Sequence, residues 1–219
     1  CSSDLTEKVV KDSTIRLTIN NEISRSLSAI EDSLEEFAVG YLFNENMVKS
    51  IDDIEKIEIN ENHINVEIDD KLLKTKETVL CSDSSGGWRS KIKEIKPISS
   101  DFQVEADELI NRIEELKNNA QIWQATGGTH VAGIVYKNNF IVKEDVSRHV
   151  AVDKVIGYGI LHNYDLSNSY VIYSGRMPAD MVIKIVRAGI PVLASNAAPA
   201  YSGCETAKKG NVTLVGFLR

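Results

Sequence analysis

The densest group of side chains capable of chemistry lies between residues 126 and 154. A Thr-Gly-Gly-Thr-His motif occupies 126–130, and the run Glu-Asp-Val-Ser-Arg-His-Val-Ala-Val-Asp-Lys occupies 144–154. Two apolar runs and a polar break at 137–139 separate these motifs, which indicates a strand hairpin that leads into a helix. Core packing does not require so many ionisable groups beside a Gly-Gly turn. The pattern therefore predicts a binding or catalytic site.

Three short segments rich in small residues are candidate contacts for an anionic ligand. They occupy 126–129, 174–176 and 195–196, and each borders a predicted strand. Ligands of α/β proteins gather where strands end and helices begin, so the three segments are expected to face one crevice. Arg176 stands just before a helix that starts near Pro178, where a guanidinium and a helix N-terminus together favour phosphate. A solvated turn arginine is the alternative interpretation of Arg176.

His149 and Asp153 lie four residues apart on a helix predicted for 148–161, so their side chains share one face. Such a pair can orient an imidazole, bind a metal or form a salt bridge. We expect Asp153 to hold one ring nitrogen of His149 while the other faces the Gly-Gly turn. A half-buried surface pair and a nucleotide-acting enzyme that uses both residues are the alternatives. The ionisable residues at 144–148 favour a functional role.

Structural explanations and missing motifs limit what this site can be. Gly127 and Gly128 also suit a turn that needs positive φ, and His130 also suits a buried strand. The sequence contains no phosphate-binding Gly-x-x-x-x-Gly-Lys loop and no Gly-x-Ser-x-Gly elbow. It also lacks the His-x-Glu and Pro-Cys-x-x-Cys motifs of the zinc deaminases, so we expect no metal site.

The chain has three cysteines, Cys1, Cys81 and Cys204. Their number and spacing do not indicate a disulfide framework, which favours a reducing compartment. Cys81 opens a Ser- and Gly-rich segment that reads as a mobile loop, where nearby basic residues favour the thiolate. Cys204 falls in a helical pattern that favours core packing, and Cys1 is terminal. Cys81 is therefore the candidate nucleophile, with a small hydrophobic residue at a strand end as the alternative.

The composition is that of an acidic globular protein. The 219 residues are 42% hydrophobic and carry a net charge of −7, which permits a buried core and differs from the basic surface of a nucleic-acid binder. No apolar run approaches the ~20 residues of a membrane span. We therefore expect a cytoplasmic protein that binds neither nucleic acid nor membrane. The chain begins with Cys-Ser-Ser-Asp rather than Met, so we expect it to be part of a longer natural chain.

Two portions of different character are expected to position the site. Residues 1–98 read as an α+β portion with strands of two-residue period and one helix, opened by a capping box at Ser33 and Glu36. Residues 99–219 read as an α/β portion, in which strands and helices alternate. Predicted strands cover 131–135, 140–142, 171–173, 192–194 and 212–217, and predicted helices cover 99–119, 148–161, 178–188 and 204–209. This alternation predicts a mainly parallel sheet with helices on its faces.

Several motifs, in this order, resemble those of the formate dehydrogenase accessory sulfurtransferase family, FdhD/NarQ. They cover nearly the whole chain: EEFAVGYL at 35–42, TGGTH at 126–130, EDVSRHVAVDK at 144–154, SGR at 174–176, RAGIP at 187–191 and LVGFLR at 214–219. The resemblance implies a cytidine-deaminase-like three-layer α/β sandwich without the deaminase zinc site. It also implies a cytoplasmic homodimer.

The resemblance further implies that the protein carries persulfide sulfur. The sulfur would pass from a cysteine desulfurase to bis-molybdopterin guanine dinucleotide, the molybdenum or tungsten cofactor of formate dehydrogenase. This dinucleotide carries several negative charges. A crevice that combines small residues, helix N-termini and arginines suits such a ligand. The motifs and the resemblance together nominate these cofactor contacts: Thr126, Gly127, Gly128, Thr129, His130, Asp145, Arg148, His149, Asp153, Ser174, Gly175, Arg176, Ser195, Asn196, Phe217, Leu218 and Arg219.

The sequence departs from the family in the 81–88 loop, where the family carries Cys-x-x-Cys or Cys-Gly. Ser84 occupies the second cysteine position of the first motif, and Ser85 precedes a glycine as in the second. Three explanations are open. Cys81 alone carries the persulfide, or serine replaces a transferring cysteine, or the protein is a chaperone that binds the cofactor without transferring sulfur. We also expect the family's cofactor-contacting C-terminal arm to be cut short after Arg219.

Overall fold

A computed structural model describes residues 6–73, 78–80, 88–90 and 95–219 of the chain. The candidate sulfur positions Cys81, Ser84 and Ser85 lie outside the described residues. Their roles therefore stay predictions from the sequence.

The N-terminal portion contains a four-stranded mixed sheet covered by one helix. Its strands are β1 (Ser13–Ile19), β2 (Ile23–Ala29), β3 (Ile54–Asn60) and β4 (His63–Ile68), in the order β2-β1-β4-β3. Alternate residues of β1 and β4, including Ile15, Leu17 and Ile64, pack with the helix α1 (Leu34–Asn44) and are fully buried. This alternation is the two-residue period predicted from the sequence. Two further strands, β5 (Thr78–Leu80) and β6 (Trp88–Ser90), form an antiparallel pair.

Helix α1 begins where predicted, but not through the predicted capping box. Ser33, the residue before the helix, has a φ of 53° and makes no side-chain hydrogen bond to the helix amides. Its hydroxyl instead accepts a 2.6 Å hydrogen bond from Lys143 Nζ, and Glu36 forms a 3.2 Å ion pair with the same ammonium. The capping-box prediction is wrong because a lysine distant in sequence engages both side chains.

The C-terminal portion is built on a five-stranded sheet in the order β11-β10-β9-β7-β8. Its strands are β7 (His130–Tyr136), β8 (Asn139–Asp145), β9 (Ser169–Tyr173), β10 (Val192–Ser195) and β11 (Thr213–Val215). Strands β9, β10 and β11 run parallel, whereas β7 is antiparallel to both β8 and β9. The sheet is therefore mixed, and the prediction of a mainly parallel sheet is not confirmed. The alternation of strands and helices sets the parallel half, and the β7-β8 hairpin adds the antiparallel half.

Five helices accompany this sheet: α2 (Ala106–Asn119), α3 (Gln121–Thr126), α4 (Arg148–Leu161), α5 (Ala179–Ala188) and α6 (Tyr201–Gly210). Helices α4, α5 and α6 share a core with one face of the sheet, and α2 packs on the other. The predicted bounds of α4 and α5 are confirmed, whereas α2 begins later than expected. Strand β11 is shorter than predicted because Phe217 has a φ of 59°. Within the described ranges, none of the helices combines the length and apolar character needed to cross a membrane.

Helices α1 and α4 cross at two glycines, and this crossing joins the two portions of the chain. A Cβ atom at Gly40 would lie 1.9 Å from the carbonyl oxygen of Asp153, and one at Gly157 would lie 1.8 Å from that of Glu36. Side chains larger than hydrogen would force the two backbones apart. The division of the chain at residue 98 stays a prediction, since the two portions share this closely packed contact.

Gly40→Ala is expected to lower the free energy of unfolding by about 1–3 kcal/mol, because the added methyl group overpacks the crossing of α1 and α4. At an exposed position inside a helix, the same replacement would raise the free energy of unfolding by up to ~1 kcal/mol. A decrease therefore indicates close packing at Gly40. Urea titration measures the change. Glu35→Ala, at an exposed position of the same helix, is the control and should change stability by less than about 0.5 kcal/mol. Equal or higher stability of Gly40→Ala contradicts the close crossing.

Candidate functional site

The predicted ligand segments lie along one edge of the five-stranded sheet. Because β7 is antiparallel to β8 and β9, its first residue, His130, lies opposite Asp145 at the end of β8. The Val131 N–H donates to the Ser174 hydroxyl at 3.0 Å, which ties the segment after β9 to the start of β7. Strand β10 is parallel to β9, so the segment 195–196 follows at the same edge. The structure thus brings the predicted segments together.

The turn at 126–129 uses its polar groups internally. The Gly127 N–H donates to the Trp123 carbonyl at 2.7 Å, and Gly127 follows α3 with a φ of 65°. The Gly128 N–H donates to the Thr126 hydroxyl at 3.1 Å. Helix termination at positive φ explains Gly127, the structural alternative left open by the sequence, whereas Gly128 is closely packed, since a Cβ atom there would lie 2.7 Å from Val10 Cγ1. A ligand contact by this turn stays a prediction.

Glu144 holds the turn and α3 against the sheet, a role not found from the sequence. Its carboxylate accepts hydrogen bonds from the Ile122 N–H at 2.8 Å and the Trp123 N–H at 2.7 Å, at the N-terminal end of α3. It also accepts the Thr129 hydroxyl at 2.7 Å. Carboxylates at helix N-termini satisfy amides that lack intrahelical partners. The partners lie too far from Glu144 along the chain for any local motif to reveal the contact.

Asp145 is fully buried, and its oxygens accept hydrogen bonds from protein groups. Lys154 Nζ donates to Oδ2 at 2.8 Å, and the Ile30 N–H donates to the same oxygen at 3.0 Å. The Ser147 N–H donates to Oδ1 at 2.9 Å. Burial raises the pKa of Asp145, and the Lys154 ammonium opposes this shift. Asp145 therefore fixes the start of α4, where Arg148 lies, and the cofactor contact that the sequence suggested for Asp145 stays a prediction.

His149 and Asp153 are both buried on α4, and both contact residues of other helices. His149 Nε2 lies 3.3 Å from Asp180 Oδ2, in the first turn of α5. Asp153 Oδ1 accepts hydrogen bonds from Asn44 Nδ2 at 2.6 Å and from Lys184 Nζ. Asp180 therefore takes part in orienting His149, and Asp153 belongs to a buried network that joins α1, α4 and α5.

Sequence reasoning missed Asn44, Lys184 and Arg187 in this network. Lys184 is 1% exposed within the apolar run of α5, and an ammonium in such a run needs a buried partner. The position of Lys184 within an apolar run was the sequence signal that could have indicated a buried partner. Arg187 Nη1 donates to the Asn44 carbonyl at 2.6 Å, at the end of α1. Asn44 does not stand out in the sequence, because a polar residue near a helix end is ordinary, and Arg187 stands out only as part of the family-like RAGIP motif at 187–191.

Arg148 contributes a partly buried guanidinium group to this edge of the sheet. A Cβ atom at Gly175 would lie 3.3 Å from Arg148 Cδ, so the two residues are in contact. The Nε atom of Arg148 is buried and has no hydrogen-bond partner among the residues that the structure describes. Burial lowers the pKa of His130, and the positive charge of Arg148 lowers it further against the opposing charge of Asp145. Both effects favour the neutral form of His130.

Arg176, expected from the sequence to anchor phosphate, is exposed. Its backbone carbonyl accepts a hydrogen bond from the Tyr173 hydroxyl. The exposure fits the alternative of a solvated turn arginine. Arg219 is likewise exposed. Of the three arginines at this edge, Arg148 is the one that is partly buried.

The end of β10 is joined to Gly175 and to the C-terminal residues. Ser195 Oγ donates to the Gly175 carbonyl at 2.8 Å. The Ser195 carbonyl accepts the Leu218 N–H at 3.1 Å, and the Ala197 carbonyl accepts the Phe217 N–H at 3.2 Å. Leu218 is buried, whereas Phe217 is 59% exposed. The C-terminal candidates therefore reach the same edge of the sheet as the others.

Two further observations concern possible metal ligands and the thiol of Cys204. Across residues 6–73 and 95–219, no group of three or more His, Cys, Asp or Glu side chains is placed to hold a metal ion. Cys204 is a free thiol, partly buried on α6. This placement agrees with the packing role expected for Cys204.

Comparison with known proteins relates this chain to one family. Residues 10–219 match the model of the FdhD/NarQ family. The sulfur carrier protein FdhD of Methanothermobacter thermautotrophicus is 48% identical over 214 residues, which cover 97% of this chain and 86% of that protein. Protein FdhD of Methanocaldococcus jannaschii is 34% identical over 218 residues, which cover 99% of this chain and 86% of that protein.

A solved structure shares the fold. The crystal structure of a protein from Desulfotalea psychrophila, described as a formate dehydrogenase accessory protein, matches with a TM-score of 0.79 and 27% sequence identity. The match covers 97% of this chain and 85% of that one. The family model, the relatives and the shared fold agree with the motifs quoted above, and the chain belongs to the FdhD/NarQ family.

Proposed function

We propose that this protein is a sulfur carrier in the maturation of formate dehydrogenase. The relative at 48% identity is named a sulfur carrier protein, and the matching crystal structure is described as a formate dehydrogenase accessory protein. The structural observation that carries the proposal is the enclosed Nε of Arg148, which has no hydrogen-bond partner among the described residues. A buried guanidinium nitrogen in this state is suited to an anionic substrate.

The start of α4 offers more than one group to an anion. Ser147, the residue before the helix, makes no side-chain hydrogen bond to the helix amides. The first-turn N–H groups and the helix dipole both favour negative charge at this end. Gly175 lets the backbone after β9 lie against Arg148. We assign the phosphates of the guanine dinucleotide cofactor, with molybdenum or tungsten, to this place.

The sulfur chemistry in this proposal belongs to Cys81. Its thiolate attacks the sulfane sulfur of a persulfide on a cysteine desulfurase, so a new S–S bond forms on Cys81 and the desulfurase cysteine leaves as a thiolate. This exchange involves no net oxidation. The sulfane sulfur must then gain two electrons to reach the cofactor as sulfide. A thiol reductant supplies those electrons and becomes a disulfide.

A cofactor-binding chaperone that transfers no sulfur is the second candidate. The observation in its favour is that serine occupies positions 84 and 85, the two alternative places for the cysteine that the family resemblance implies. Such a chaperone would bind the nucleotide through the same sheet edge. The two candidates differ in whether any cysteine of the chain accepts sulfur.

The finer expectations about setting and shape belong to the same proposal. We propose that the protein acts as a homodimer in the cytoplasm, where a cysteine desulfurase and formate dehydrogenase are available as partners. We also propose a cytidine-deaminase-like layering. Its support is that α4, α5 and α6 cover one face of the five-stranded sheet while α2 covers the other.

Arg148→Ala is expected to weaken the binding of GDP by about 10- to 100-fold, because a charge-assisted hydrogen bond is worth roughly 1.5–3 kcal/mol. Titration calorimetry measures the dissociation constant. Arg176→Ala is the matched control, since it removes an exposed arginine from the same edge, and should change affinity by less than about 3-fold. Thermal melting without ligand shows whether each variant folds. Equal losses in the two variants, or a loss confined to Arg176→Ala, would reject Arg148 as the phosphate anchor.

A further inference from the structure

A cleft lies at the end of the five-stranded sheet opposite to the candidate site. Strand β7 runs from His130, at the site edge, to Tyr136, beside the cleft, and its 7 residues span roughly 20 Å. The cleft has a volume of about 480 Å³ and lies between the end of β7, the start of β9 and the first turn of α2. Ligand sites in proteins commonly occupy roughly 300–1,000 Å³, so the cleft is large enough to admit a ligand.

Aromatic side chains form part of the cleft wall. Phe102, Tyr136 and Tyr170 all line it, and the ring centroids of Phe102 and Tyr170 lie 6.2 Å apart. Lys137 Nζ lies over the Tyr136 ring, 4.7 Å from its centroid, so this ring already holds a cation against its face. The faces of aromatic rings attract ammonium and guanidinium groups. The wall is therefore suited to a cationic ligand.

Two carboxylates from different segments line the same cleft. Glu108 Oε1 accepts a hydrogen bond from the Tyr170 hydroxyl at 2.8 Å, and no residue within the described ranges donates to the second oxygen of Glu108. Hydrogen bonds from Ser167 and Asn168 lower the pKa of Asp165, so this carboxyl stays ionised at neutral pH. The cleft therefore presents carboxylate oxygens beside its aromatic wall.

The dipole of helix α2 explains only part of this negative charge. Asp107 and Glu108 lie in the first turn of α2, where carboxylates stabilise a helix. Asp165 lies in the segment before β9 and takes no part in that helix. Together, Glu108 and Asp165 bring two negative charges to the lining, against the single positive charge of Lys137. The lining is therefore net negative, which favours a cation.

We propose that this cleft receives an arginine side chain of a partner protein. A guanidinium is planar and can stack on an aromatic ring such as Tyr136 while its N–H groups donate to Glu108 and Asp165. The ammonium of lysine is compact and cannot stack in this way. Arginine is therefore the side chain that uses both the aromatic wall and the carboxylates.

The aromatic surface continues past the cleft, which favours a protein over a free amine as the source of the guanidinium. The ring centroid of Tyr164 lies 4.9 Å from that of Tyr136 and 5.9 Å from that of Tyr158, and the exposed His162 stacks on Tyr158 at 3.8 Å. Protein interfaces are enriched in aromatic side chains and arginine. A partner bound here leaves the opposite edge of the sheet open to an anion. The assignment goes beyond the proposed function, since it holds for a sulfur carrier and for a chaperone alike.

An NMR titration of the full chain with short peptides tests the cleft, since it measures weak affinities. We expect an acetylated alanine peptide with one central arginine to bind about 10- to 100-fold more tightly than the same peptide with citrulline, which keeps the shape of arginine without its charge. Glu108→Gln and Asp165→Asn should each weaken binding of the arginine peptide by about 5-fold or more. Glu114→Gln, at an exposed position of the same helix α2, is the control and should bind like the wild type.

Lys137→Met is expected to change the affinity in the opposite direction. Removing the ammonium that lies over Tyr136 frees the ring and makes the lining more negative, so the arginine peptide should bind about 2-fold more tightly or better. The same titration measures the change. Weaker binding of the arginine peptide by Lys137→Met would contradict a cation site.

The remaining outcomes decide between an arginine of a partner and other occupants. Equal binding of the arginine and citrulline peptides, or wild-type binding by both Glu108→Gln and Asp165→Asn, overturns the proposal. Tyr158→Leu should weaken binding of the peptide but not of free arginine, and free arginine that binds more tightly than the peptide would make the cleft a small-molecule site instead. A change in sedimentation of the unliganded protein on Glu108→Gln would assign the cleft to a contact between copies of this chain. Circular dichroism confirms that each variant folds, and GDP binding at Arg148 is unaffected by any of these outcomes.

Discussion

Cys81→Ala is expected to abolish persulfide formation on this protein. Under the proposed function, Cys81 is the sulfur carrier, because the basic residues Arg89 and Lys91 nearby in sequence favour its thiolate. The protein is incubated with a cysteine desulfurase and cysteine, and peptide mass spectrometry locates the added sulfur. We expect the wild type to carry the sulfur on the Cys81 peptide and the variant to carry none.

Cys204→Ala is the matched control for this experiment. Cys204 is partly buried on α6, where a thiol reacts slowly, so its removal should leave persulfide loading at the wild-type level. Sulfur found on the Cys204 peptide would contradict the assignment to Cys81. If the wild type accepts no sulfur but still binds GDP, the chaperone becomes the better description. Ser84→Cys and Ser85→Cys then show whether a replaced cysteine explains the loss.

Lys154→Met is expected to lower the free energy of unfolding by about 3–5 kcal/mol, because removing one partner of a buried ion pair leaves the other charge without compensation. Lys154 and Asp145 are both 0% exposed and lie 2.8 Å apart. Urea titration at pH 7 measures the loss. The effect is large because, among the described residues, only the backbone N–H groups of Ile30 and Ser147 still donate to the Asp145 carboxylate once the ammonium is gone.

The pH dependence of this variant follows from the direction of the Asp145 pKa. Burial already raises that pKa, and Lys154 opposes the shift, so the pKa rises further when Lys154 is removed. A carboxyl whose pKa is higher in the folded state stabilises the fold at low pH and loses that contribution as the pH rises through the folded value. The stability lost in Lys154→Met should therefore be partly regained as the pH falls from 7 towards 5.

A double replacement separates the ion pair from general disruption of the core. In Asp145→Asn/Lys154→Met no unpaired charge remains, and the amide oxygen can still accept a hydrogen bond from a backbone N–H, so part of the lost stability should return. Lys137→Met, at an exposed position of the β7-β8 turn, should have little effect. A loss below about 1 kcal/mol in Lys154→Met, or a double variant less stable than the single one, is inconsistent with the buried pair.

The sequence predicts best those elements whose signals are local. Helix α4 carries its apolar period within its own residues, and α5 carries Pro178 and Gly189 at its ends, so both were located correctly. The start of α1 agrees with the prediction, but the capping box on which that prediction rested does not form. Ser33 and Glu36 have the spacing of a capping box, but Lys143, more than a hundred positions later in the sequence, engages both side chains.

The sequence predicts where the candidate site lies, but not the role of each residue within it. The strands and their order bring the predicted segments to one edge, which local patterns anticipated. Whether a charged side chain is enclosed depends on its tertiary neighbours. Arg176 had the better local signal, before a helix, yet it is exposed, whereas Arg148 is partly buried with its Nε atom away from solvent. Asp153 had an apparent partner in His149 on its own helix, yet Lys184 and Asn44 from other helices contact it.

The sulfur-carrier proposal is tested most directly by following labelled sulfur through one turnover. Protein loaded with radiolabelled persulfide is freed of desulfurase and mixed with guanine dinucleotide cofactor, inactive formate dehydrogenase and a thiol reductant. We predict that the label leaves the Cys81 peptide and that formate dehydrogenase gains activity in proportion, whereas Cys81→Ala protein gives neither. Activation of formate dehydrogenase while the label stays on Cys81, or equal activation by Cys81→Ala, would contradict the carrier role.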